Sequence, residues 1–165
     1  MGDLLHAYHE AGHAVMATKL GCPLSRVTLE ESVRQQSLSY SDTLRCRFAS
    51  FSAEELCPPD ADPDRVNDIY GGCLDDLGGT VTTECFIQEY ARLYGDPATA
   101  VEFAHRERWK NDYGNDLITE VRAILHSEPY KSAIIALANA LVEEREIDGP
   151  EAKAIIGSAL VGGVA

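Results

Sequence analysis

Two histidines four residues apart, His9 and His13, sit within an apolar helical repeat, and that arrangement constrains the first segment strongly. Leu4, Leu5, Tyr8, Ala11, Val15, Met16 and Leu20 recur at helical spacing, so Asp3 to Leu20 reads as a helix. Asp3 is the expected N-cap, and Gly21 followed by Pro23 is the expected stop. Residues four apart stand one turn above another on the same helix face. Both imidazoles are thus aimed at one point in space. Gly12, between them, costs about 1 kcal/mol relative to Ala in a helix interior. With Ala11 and Ala14 it leaves room for another element to pack close to this helix.

The residues His9-Glu10-Ala11-Gly12-His13 carry a specific chemistry. Two imidazoles at this spacing can ligate one zinc ion, and the intervening Glu10 projects beside it as a general base for hydrolysis of a carbonyl compound. The competing expectation, two surface histidines on an amphipathic helix, is weakened because the motif sits on a well-capped helix. His6 lies one turn further back and reads as a neighbour of the site or a solvent-facing group. His105 and His126 have no partner at ligand spacing. A catalytic zinc normally takes three protein ligands and a water. Met16 and Lys19 stand where the extended metzincin motif needs glycine and histidine, so that pattern is excluded. Glu30 and Glu31 fall at an expected strand edge, which suits a third ligand poorly. The third ligand is expected from further along the chain.

Beyond the first helix the period shifts toward two. Val27-Thr28-Leu29, and the stretch from Ser37-Leu38-Ser39-Tyr40 to Phe48, read as strands of a small sheet. Cys57-Pro58-Pro59 to Pro63 breaks the pattern, and Asp62-Pro63 is expected to open a helix through Ile69. A short helix follows Thr83 and ends at Tyr94-Gly95. Asp96-Pro97 repeats the cap signal and predicts a helix through Lys110, closed by Tyr113-Gly114. Leu117 to Leu125 is helical. Glu128-Pro129 restarts a helix through Glu144, with Ile134, Ile135, Leu137, Ala138, Leu141 and Val142 as its buried face, and Glu151 to Leu160 forms a last helix. The expected fold is mainly α, with a small β-sheet or hairpin after the first helix, in one domain over residues 1–165.

Composition narrows the class of partner. Lys plus Arg number 14 against 27 Asp plus Glu, a net charge of -13, which disfavours nucleic acid and anionic membrane surfaces. The five cysteines are odd in number and never form Cys-x-x-Cys, which favours free buried thiols and a reducing compartment. With no basic, apolar leader and no apolar run of spanning length, a cytoplasmic protein without membrane insertion is expected.

Ala7-Tyr8-His9-Glu10-Ala11-Gly12-His13-Ala14-Val15 resembles the zinc helix of the FtsH family of metalloproteases. Cys22 to Leu29 is similar to the strand that follows it there. Gly71-Gly72, Asp75-Asp76-Leu77 and Gly79-Thr80-Val81-Thr82-Thr83 resemble that family's Gly-Gly, acidic-pair and Val-Thr-Thr landmarks in the same order, and Val121 to Leu125 and Ala140 to Gly149 resemble its closing helices. The resemblance implies a zinc endopeptidase acting on unfolded or flexible polypeptides, with His9 and His13 as ligands and Glu10 as base. It also implies a third ligand, an Asp at the start of a later helix followed by Ala, Glu and Ala. Asp96, with Ala100, Glu102 and Ala104, matches those offsets, while Glu84, Glu89 and Asp76 are the alternatives. No Gly-x-x-x-x-Gly-Lys-Ser/Thr loop is present, so any ATPase would be a separate partner, and hydrolysis would not itself need ATP. A homo-oligomer is the family's habit. The competing expectation is a catalytically inactive scaffold or partner-binding domain on the same fold.

Overall fold

The computed structural model describes residues 3–61 and 79–162. Among them the chain is mainly helical with one small antiparallel sheet. The order is α1 (Asp3–Lys19), β1 (Leu24–Thr28), β2 (Ser32–Arg34), α2 (Tyr40–Glu54), α3 (Thr80–Tyr94), α4 (Ala100–Leu125), α5 (Tyr130–Glu144), β3 (Glu146–Asp148) and α6 (Gly149–Gly162). The expected helix from Asp62 and the stretch from Gly71 to Gly78, with Cys73 and Asp76, lie outside the described residues.

α1 is the central element. Leu5, Ala7, Tyr8, Ala11, Ala14, Val15 and Met16 are all buried, so the helix is covered on more than one side. It packs against α2 and α5 and against the sheet. It closes where expected: the Cys22 N–H donates to the Ala17 carbonyl and the Gly21 N–H to that of Thr18. Gly21 takes φ +74°, the left-handed position this closure requires.

The sheet has the order β2-β1-β3, with both pairings antiparallel. Val27 pairs with Ser32 on one side and with Ile147 on the other. β1 is thus central and β2 is an edge. The third strand comes from the far end of the chain, between α5 and α6, where the sequence pattern announces no strand.

The second expected strand is wrong: from Tyr40 onward that stretch is helix α2. Ser39 caps it by accepting from the Asp42 N–H at 3.2 Å. Leu44, Phe48 and Phe51, with Cys46, Ala49 and Ala53, then lie on buried faces at helical spacing. The Asp96-Pro97 cap is also corrected. Helix α4 begins three residues later, because Thr99 and Glu102 form a capping box: Thr99 Oγ1 accepts from the Glu102 N–H, and Glu102 Oε2 accepts from the Thr99 N–H. Nor does Gly114 end that helix. Gly114 is buried under the Phe86 ring, and Leu117, Val121 and Leu125 carry the buried stripe onward. The α5 helix runs as expected, except that Val142 faces outward.

Candidate metal centre

α1 places His9 and His13 one turn apart, with ring centroids 4.9 Å from each other. One ligand atom from each of His9, Glu10 and His13 lies within 4.8 Å of the others, so this group could hold a metal ion. Two further contacts fix the rings. The Nδ1–H of His13 donates to the carbonyl of Cys46 at 2.7 Å. His9 Nδ1 meets the carboxylate of Glu54 at 2.5 Å. A carbonyl and a carboxylate only accept, so each ring carries its proton on Nδ1 and, when neutral, its lone pair on Nε2. Phe51 adds an edge-to-face contact on the His9 ring, with centroids 5.9 Å apart.

Both acceptors come from α2, and α2 reaches them because Gly12 has no side chain. A Cβ at Gly12 would stand 2.5 Å from the Ala49 carbonyl oxygen and 2.6 Å from Ala53 Cβ. The glycine therefore permits a close helix crossing, and that crossing delivers Cys46 and Glu54 to the two rings.

Glu10 is held from the sheet rather than from α2. It is buried, and Ser32 on edge strand β2 donates its hydroxyl to Glu10 Oε2 at 2.8 Å and to the Glu10 carbonyl at 3.0 Å. Burial raises the Glu10 pKa; the neighbouring His9 and the Ser32 hydrogen bond oppose this, and Glu31 adds to it. His13 is pushed down to about 3, first by burial, then by the nearby charge of His9. It stays neutral across the physiological range, as a metal ligand must. A cleft of about 600 Å³ opens over His9 and Glu10, lined also by Asp3, His6, Leu29, Glu30 and Arg145. Arg145 pairs with Asp3 across it at 2.8 Å.

The other sequence candidates lie apart from this group. Asp96 is exposed in the connection between α3 and α4 and does not belong to the cluster. Glu89 is buried but clamped by Arg92 at 2.7 and 2.9 Å, which holds its carboxyl below the usual range. Glu84 accepts from Gln88 and is likewise outside the cluster. His105 bonds the Tyr90 hydroxyl and His126 the Ser52 carbonyl, as befits ordinary histidines. Cys22, Cys46, Cys57 and Cys85 are buried. Among the described residues no helix is long and apolar enough to cross a membrane.

Three participants escape the sequence reading: Glu54, Ser32 and the Cys46 carbonyl. A signal for the first exists. Ser39-x-x-Asp42 is a helix-start pattern, and a helix from Tyr40 puts Cys46, Ala49, Ala53 and Glu54 near one face. No protein-family model matches the chain, and no curated protein matches it either.

Proposed function

We propose that this protein is a zinc-dependent endopeptidase of the FtsH peptidase type, acting on unfolded or flexible polypeptides. The observation that carries the reading is a buried glutamate beside two histidines whose Nδ1 atoms are both committed to acceptors. A purely structural site has no use for the glutamate. The residues fit a zinc ion in donor type and tautomer: His9 and His13 would hold it through nitrogen. When bound, zinc would supply Lewis acidity toward a peptide carbonyl and toward water.

The chain's own groups account for the rest. Glu10 accepts the proton of the attacking water at its carboxylate. Ser32 occupies Oε2, so Oε1 is the oxygen turned to this task. Burial strengthens Glu10 as a base by lifting its pKa toward neutrality, where general-base catalysis is efficient. The protonated Glu10 then delivers that proton to the leaving amine. Edge strand β2, whose Ser32 touches Glu10, offers main-chain groups to an extended peptide by strand addition. The third zinc ligand is left to Asp96, Asp76 or a water in this reading, with Asp96 the less favoured because it is exposed and outside the cluster.

The test is metal analysis of protein purified without chelator, followed by digestion of a quenched casein substrate. Roughly one zinc per chain is expected, with hydrolysis falling at least about 10²-fold in Glu10→Gln while zinc is retained. Zinc retention with no hydrolysis by the native protein would favour the scaffold instead.

A further inference from the structure

Glu54 is 1% exposed, and its role is not explained by packing. One oxygen, Oε1, contacts His9 Nδ1. The other, Oε2, is buried with no hydrogen-bond partner among the described residues. A half-satisfied buried carboxylate is costly unless a compensating charge lies nearby. Of the residues just before it on α2, Phe51 and Ala53 are apolar, and Ser50 donates to the Arg47 carbonyl instead. His9, whose Nδ1 meets Glu54, is also one of the three residues that could hold a metal ion. A cation bound through its Nε2 would provide a compensating charge, transmitted through the ring.

Resting on the metallopeptidase reading above, we propose that Glu54 is a positioning residue for the metal: it accepts the His9 Nδ1–H, fixes the ring so that Nε2 is the ligand atom, and makes that nitrogen a stronger donor. Three observations converge on it. The carboxylate comes from a different helix, 45 residues away in sequence, so no local backbone need puts it there. The approach depends on Gly12, inside the histidine motif itself. His13 is held in the same tautomer by the Cys46 carbonyl, but this acceptor is neutral. The two ligands are therefore unequal, His9 backed by a charge and His13 by a dipole. Such outer carboxylates raise ligand basicity, and their loss weakens metal binding roughly 10- to 100-fold in general.

The experiment is zinc affinity by competition with a chromophoric chelator, on the full chain, for native protein, Glu54→Gln and Glu55→Gln. The first substitution keeps the side-chain volume and an acceptor but removes the charge. Glu55, which pairs with Arg122, controls for a charge change on the same helix end. A loss of roughly 10- to 100-fold for Glu54→Gln, with Glu55→Gln unchanged, is expected. Equal affinity of native and Glu54→Gln protein would overturn the role of Glu54 and leave the metallopeptidase reading standing. A native protein that takes up no zinc would overturn both. If Glu54→Gln does not fold, the nitrogen-15 ring resonances of His9 in the native protein decide. A proton on Nδ1 is required, and a proton on Nε2 alone refutes the proposal.

Discussion

At the residue scale, Glu10 and Ser32 act as a unit. The Ser32 hydrogen bond favours the ionised carboxylate, and burial opposes it. Replacing Ser32 by Ala should lower kcat/KM about 10- to 100-fold, from the roughly 1.5–3 kcal/mol of a hydrogen bond to a charged group. The acid limb of the pH–rate profile should move to higher pH, because the group that held the Glu10 pKa down is gone. An acid limb that stays in place would mean Ser32 does not contact the working base. His13 makes a prediction for the metal-free protein. Its folded pKa is about 3 against about 6.5 in the unfolded chain. Between those values the unfolded chain binds more protons, so the neutral-His13 contribution is fully present above about pH 6.5 and is lost as pH falls. The slope is at most about 1.4 kcal/mol per pH unit. Glu10 works in the opposite sense, its contribution being lost as pH rises through its raised pKa. Urea denaturation between about pH 6.5 and pH 5 should therefore compare metal-free Glu10→Gln with Glu10→Gln/His13→Asn. The first should lose stability with acid faster than the second; parallel curves would mean that His13 titrates normally.

At the element scale, the crossing of α1 and α2 is the decisive contact. Gly12→Ala puts a methyl against backbone, and the Ala49 carbonyl cannot swing aside as a flexible side chain would. The helices must separate, at a cost of about 1–3 kcal/mol typical of overpacking. The same separation pulls the Cys46 carbonyl and Glu54 away from the imidazoles. We therefore expect Gly12→Ala to lose thermal stability and zinc affinity together. A variant of native stability that binds zinc weakly, or a destabilised one with native affinity, would show that the crossing does not set the ring positions. The sheet depends on the chain's end in a comparable way. β3 follows α5 directly and pairs with β1, so α1 is held between early and late elements.

At the scale of the whole molecule, a metal that binds only where α1, α2 and β2 meet should couple to global folding. At a free zinc concentration about 100 times Kd the folded state gains about 2.7 kcal/mol. For a chain of this length that corresponds to a rise in Tm of about 5–10 °C, lost on dialysis against chelator; a Tm indifferent to chelator would separate the site from the fold. Much of this molecule is legible in the order of its residues. The helical period of α1, its stop at Gly21, the α5 segment and the group His9, Glu10 and His13 all follow from local spacing, because one turn of helix suffices to define them. The Ser39 and Thr99 caps are written in the sequence as well, but alternating polarity and an Asp-Pro pair outweigh them when it is read alone. What only the tertiary structure decided is which distant groups hold the site. Glu54 lies 45 residues from His9, Cys46 33 from His13 and Ser32 22 from Glu10. No periodicity relates such pairs. They meet because Gly12 lets α2 approach and because pairing with β1 sets β2 over Glu10, and both are properties of packed elements rather than of neighbouring residues.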